Sequence, residues 1–196
     1  MRIVAFLLAA LCAPRAGLAQ DAIEWSLERK LARNDFRGRV PAGAQNAALS
    51  WLTIDASWEC QGAEFVASAR ATFDPSRSWW RSTHGRVWGS AGERMSSALA
   101  QADARRSIAQ LDGQLLEHEQ LHFDLAEAVA RKIRARFNEF RNACGEAGDI
   151  DPVQEMVARA DRELQEEQQR YDRETSHGVN ARAQEQWKRR IRAMLN

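Results

Sequence analysis

Between Pro75 and Pro152 the chain has no proline, and Gly113 is the only glycine between Gly92 and Gly145. A stretch so free of breakers favours helix, where an interior proline costs about 3 kcal/mol and a glycine about 1. Within it Leu115, His118, His122, Leu125, Val129, Ile133, Phe137 and Phe140 recur at steps of three or four, the stripe of a helix laid on a core. Gly113 is expected to mark a joint between two helices, with Asn142 to Gly148 closing the second. A further helix is expected from Asp151-Pro152, an N-cap followed by a first-turn proline. It runs through Val153, Met156, Val157, Ala160 and Leu164 toward Tyr171, with Gly178 as its stop. A last helix, over about 180–195, carries Trp187, Ile191 and Leu195 on one side. Its Lys188, Arg189, Arg190 and Arg192 read as a solvated face rather than a lipid contact.

The preceding segment has a different period. Leu52, Ile54, Ala56 and Trp58 alternate with Trp51, Thr53, Asp55 and Ser57, and Phe65, Ala67, Ala69, Ala71 and Phe73 repeat the pattern. Two such runs around Cys60-Gln61-Gly62-Ala63 make a hairpin that Asp74-Pro75 ends. Five of the seven tryptophans, Trp79, Trp80 and Trp88 among them, lie between positions 51 and 88. Packing of a small sheet on helices accounts for them better than a ligand-facing aromatic wall. The expected fold is α+β, a small antiparallel sheet on a helical bundle. One domain spans 20–196, strand-rich over 20–90 and helical over 91–196.

Residues 1–19 stand apart. Met1-Arg2 is a positive start, Ile3 to Cys12 is apolar, and Gly17-Leu18-Ala19 offers small residues for cleavage after Ala19. That is the layout of a secretory signal, too short to span a bilayer, and it implies export to the periplasm or the exterior. The rest holds 26 basic and 27 acidic residues, a balance that argues against a nucleic-acid binder. It keeps two cysteines, Cys60 and Cys144, which in an exported chain are expected to pair as a disulfide rather than remain buried thiols.

His118-Glu119-Gln120-Leu121-His122 carries the chemistry. Two histidines four apart project from one helix face, so both imidazoles can reach a single zinc ion. Glu119 points about 100° round the helix, beside a metal-bound water rather than onto the metal. There it can act as general base while zinc lowers the water's pKa toward about 7. Two buried histidines in an ordinary core would need other partners on this apolar stripe.

A catalytic zinc uses three protein ligands. Leu125 and Ala128 stand where a metzincin would continue with glycine and histidine. Glu139 is about 25 Å along the same helix from His122, and Glu127 is about 140° round it. The third ligand must come from elsewhere. Tyr171-Asp172-Arg173-Glu174-Thr175-Ser176-His177-Gly178 is the best segment, offering His177, with Asp172 and Glu174 as acceptable ligands; an ordinary helix end with a surface histidine is the plainer reading. His84 is the other imidazole, as ligand or transition-state donor.

The chain resembles the bacterial domain of unknown function 922, a family of predicted secreted zinc-dependent proteases of the zincin type. Trp25-Ser26 and Asp35-Phe36-Arg37-Gly38 resemble its opening motif, with a longer spacer. Tyr171-Asp172-x-x-Thr175-x-His177-Gly178 resembles its other signature, and the strand pair near Cys60, the His118–His122 motif and Cys144 lie between. The resemblance implies a zinc peptidase with His118, His122 and His177 as ligands and Glu119 as base. Tyr171 is expected either to donate to a developing oxyanion or to orient His177 from behind. A zinc amidase acting on cell-envelope material would use the same centre, and a non-catalytic envelope protein with a structural zinc would need a fourth protein ligand.

Overall fold

In the computed structural model, which describes residues 21–81, 98–142, 144 and 151–196, the breaker-poor stretch forms one helix, α1 (Ala98–Phe137), 40 residues long. At 1.5 Å per residue it measures about 60 Å. The joint expected at Gly113 is absent. A Cβ at Gly113 would meet nothing within 4 Å, so this glycine costs only its propensity, about 1 kcal/mol, which its helix-forming neighbours outweigh. The expected signal segment 1–19, His84 and Trp88 lie outside the described residues.

Among the described residues five strands precede α1: β1 (Ile23–Glu24), β2 (Ala48–Leu49), β3 (Leu52–Gln61), β4 (Glu64–Phe73) and β5 (Trp79–Trp80). The hairpin read from the period-two pattern is β3–β4, in antiparallel register from Leu52 opposite Phe73 to Gln61 opposite Glu64. Gly62-Ala63 makes its two-residue turn, and Gly62 takes the positive φ of 64° that such turns need. β1 adds to the other side of β4, giving the order β1-β4-β3, while β2 and β5 pair separately.

The sheet packs on α1, whose other sides meet α2 (Asp151–Thr175) and α3 (Ala181–Leu195). This encasement buries more of α1 than the single stripe anticipated. Leu121, Phe123, Ala126, Ala128 and Ala130 are interior as well as Leu125, Val129 and Ile133. The basic face of α3 is tied to acids: Lys188 bonds Glu117, and Arg190 reaches Glu167 at 3.0 Å. No helix among the described residues is long and apolar enough to cross a membrane.

The entry segment is pinned to the middle of α1. The Trp25 indole donates to Asp124 at 2.8 Å, and Gln120 accepts from the Leu31 backbone at 2.8 Å. Asp35 holds its own turn by accepting from the Ala32 backbone and the Arg29 guanidinium. Phe36 packs edge-on against Phe73 and Trp80. Gly38 lies where a Cβ would stand 2.7 Å from the Ser78 carbonyl, so only glycine fits. The Asp35-Phe36-Arg37-Gly38 motif is therefore a docking element.

Cys60, at the far end of β3, is bonded to Cys144, closing a loop across a separation of 84 residues. It ties the hairpin tip to the chain beyond α1. Cys60→Ser is expected to lower unfolding stability by about 4 kcal/mol in urea titrations, the loop-entropy value for that length, while reduced wild type shows the same loss.

Candidate metal centre

One turn of α1 presents His118 and His122 inward, 2 % and 9 % exposed. Opposite them, on antiparallel α2, stands Asp172. Its Oδ1 lies 3.1 Å from His118 Nε2 and 2.9 Å from His122 Nε2, and the two Nε2 atoms are 3.2 Å apart. Three ligands of one tetrahedral ion at about 2.0 Å stand about 3.3 Å apart. The triangle has the size a single metal ion needs, and the donors, two imidazoles and a carboxylate, suit zinc.

The far side of each ring is fixed. His118 Nδ1–H donates to Gln184 Oε1 at 3.3 Å, and His122 Nδ1–H donates to Gln168 Oε1, whose amide group donates back to the His122 carbonyl at 2.9 Å. Protons held at both Nδ1 positions leave both Nε2 lone pairs facing Asp172. Tyr171 stacks on His118 with centroids 4.7 Å apart. Its hydroxyl lies 2.9 Å from Gln184 Oε1 and 3.3 Å from the His118 carbonyl. Burial pushes its phenol far above the usual range, so it stays a neutral donor. Of the two roles expected for Tyr171 this packing supports orientation, and the ring it orients belongs to His118.

His177 is brought close but not into the triangle. Its Nδ1 is 3.4 Å from Asp172 Oδ1, its side chain is 56 % exposed, and its ring is outside the set of mutually close ligand atoms. Glu174 turns away, bonded to Arg170 and the Trp187 indole. Glu127 is buried among Arg131 and Arg134, and Glu139 lies near Arg136. Glu119 is buried, accepts from Ser50 Oγ at 2.6 Å, and lines the same cleft as the triangle.

The turn after α2 explains the closing motif. Thr175 Oγ1 donates to the Tyr171 carbonyl at 2.7 Å and accepts from the Gly178 amide at 3.3 Å. Ser176, His177 and Gly178 have φ of 50°, 53° and 83°, a left-handed run that two L-residues enter at about 1–2 kcal/mol each. A Cβ on Gly178 would sit 3.0 Å from the Cβ of His118. The chain reverses by pressing its backbone on a ring of the triangle.

Gln168, Gln184 and Ser50 carry no motif in the sequence, and only the helical partnership reveals them. Asp172 was within reach: the breaker-free run to Gly178 keeps it on α2, one turn beyond Gln168, whereas His177 falls past the helix end.

Residues 17–178 match the model of a family described as bacterial protein of unknown function, DUF922, and the chain belongs to that family. No curated protein and no solved structure matches. The matched span ends at Gly178, so α3, with Gln184, lies outside it.

Two outcomes test the geometry. Gly178→Ala should destabilise more than Gly43→Ala, which has a similar φ of 75° but open space around it; each incurs about 1 kcal/mol or more of backbone strain, and only the first also displaces His118. Equal losses in urea would contradict the contact. The second concerns pH in the metal-free chain. Burial opposes charge on His122, but the Asp172 hydrogen bond and the Glu119 and Asp172 charges outweigh it and raise its pKa above 6.5. Burial likewise opposes the Asp172 carboxylate, yet its bonds from His118 and His122 hold its pKa well below the usual range. The His122 contribution is full below pH 6.5 and fades as pH rises through the raised value; the Asp172 contribution fades only in strong acid. With chelator present, stability should fall as pH rises above about 6.5, and Asp172→Asn should remove the decline.

Proposed function

We propose, with family membership as the premise, that this protein is an exported zinc-dependent metallohydrolase, most simply a peptidase. The observation that carries the reading is the triangle of His118 Nε2, His122 Nε2 and Asp172 Oδ1 beside a buried glutamate in an open cleft. In this assignment Asp172 takes the ligand place that the resemblance gave to His177.

Bound there, zinc would supply Lewis-acid polarisation and an acidified water. The chain's own residues do the rest. Glu119, one residue after a ligand, is off the coordination axis and free to receive a proton, with Ser50 holding one carboxylate oxygen in place. Gln168, Gln184 and Tyr171 hold the Nδ1 protons and keep the imidazoles aimed. His177, exposed at the mouth, is placed to donate to a substrate oxygen, a role of the kind that Tyr171 with its engaged hydroxyl does not fill. The same residues would serve a zinc amidase acting on cell-envelope material. The disulfide supports export, since such bonds persist in oxidising compartments.

His177 also favours a second reading. If it swung the short distance from Asp172 onto the metal, four protein ligands would close the site and make the zinc structural.

Metal analysis and peptide-library digestion of folded variants separate these readings. Asp172→Ala should lose zinc; His177→Ala should keep it and slow turnover by about a hundred- to a thousandfold, the range for a transition-state donor. Glu119→Gln should keep zinc and lose hydrolysis. Zinc lost with His177→Ala and kept with Asp172→Ala would reverse the ligand assignment, and full activity in Glu119→Gln would reject the base.

A further inference from the structure

We propose that the cleft beside the metal centre takes an extended polypeptide, read along its length by α2 and carrying a lysine or arginine side chain opposite Asp161. The proposal rests on the peptidase reading and says where its specificity lies.

The cleft, of about 920 Å3, runs between α2 and the β3 side of the sheet. On α2 it is lined by Gln154, Asp161, Gln165, Gln168 and Asp172, whose spacing of three, four and seven puts them on one face. From Gln154 to Asp172 is about 27 Å of helix, the length of about eight residues of extended chain. Asp172 marks one end, at the metal centre. On the opposite wall Trp51, Leu52, Thr53 and Ile54 all line the cleft. Consecutive strand side chains point to opposite faces, so the strand's edge must border the cavity. β3 is an edge strand among the described residues, which leaves main-chain donors and acceptors there for an incoming strand.

The helical wall supplies complementary groups. Gln168 is committed to His122, but Gln154, Asp161 and Gln165 make no hydrogen bond or ion pair among the described residues. A carboxamide both donates and accepts, as a peptide group does. Charge narrows the class further. Glu119, Asp161 and Asp172 line the cleft, and no lysine or arginine is among its described lining residues. A metal ion would offset the acids at its own end, which leaves Asp161 as the unopposed charge among the described lining residues, and that stretch of the cleft favours cationic side chains. Asp161 stands eleven residues before Asp172, three turns or about 16 Å away, so the basic residue would lie about five positions from the bond at the metal.

The test uses the full-length, zinc-loaded Glu119→Gln protein, which should bind without turnover. The probes are fluorescent twelve-residue peptides of alanine, serine and glutamine with one central lysine or glutamate, followed by anisotropy. The lysine peptide should bind about fivefold tighter than the glutamate peptide, the most an exposed ion pair supplies. Asp161→Asn in the same background should erase the preference and Asp161→Lys should invert it, with zinc content and circular dichroism unchanged. Shortening the lysine peptide to four residues should abolish measurable binding. Equal binding of the two peptides, an unchanged preference in Asp161→Lys, or no peptide binding overturns the proposal. A wild-type chain that binds no zinc refutes the metal reading whatever the peptides do; a zinc-loaded chain indifferent to peptide charge refutes this one alone.

Discussion

Asp172 joins two imidazole nitrogens that would otherwise face one another at 3.2 Å inside the protein. Neutral His118 and His122, each with its Nδ1 proton held by a glutamine, turn lone pairs toward each other, which repel unless a proton or a cation lies between. The carboxylate makes the interior tolerate either. In the metal-free chain it stabilises a proton on His122, and its oxygen stands where it could serve as a third ligand for a divalent ion. The antiparallel pairing of α1 with α2 is what sets this carboxylate there.

Much of the molecule serves that pairing. The hairpin covers one side of α1, the disulfide anchors its tip, and the Asp35-Phe36-Arg37-Gly38 element locks the entry segment against the loop of residues 75–78. Trp25 and Leu31 are tied through Asp124 and Gln120 to the helical turns that also carry His118 and His122. The left-handed turn at Ser176–Gly178 brings α3 back so that Gln184 meets His118 and Trp187 packs on Tyr171. Gln184 Nε2 is buried without a partner among the described residues. An unpaired amide there costs free energy, and it marks the residue as held in place for its oxygen.

Local signals carried well where chemistry is local. Period-two alternation around Gly62, the Asp151-Pro152 helix start, the Gly178 stop and the two cysteines each reported on their own neighbourhood, and the fold has all four. Gly113 misled because a glycine in open space lowers helix propensity without ending a helix. The carboxylate of the triangle was harder. Ligand preference favours histidine, but reach depends on which turn of α2 faces His118, and that is a tertiary fact. Gln168 and Gln184 are ordinary helix-surface residues in sequence. Their role appears only when two helices from distant parts of the chain close round the rings.

The most direct measurement of the central claim is X-ray absorption at the zinc edge of the purified, zinc-reconstituted full-length protein. The account predicts a four-coordinate ion with two imidazole ligands and two oxygens, one from Asp172 and one exchangeable with solvent, all at about 2.0–2.2 Å. A spectrum with three or more imidazoles would place His177 on the metal and contradict the assignment. Failure to retain any stoichiometric metal after reconstitution would contradict the centre itself.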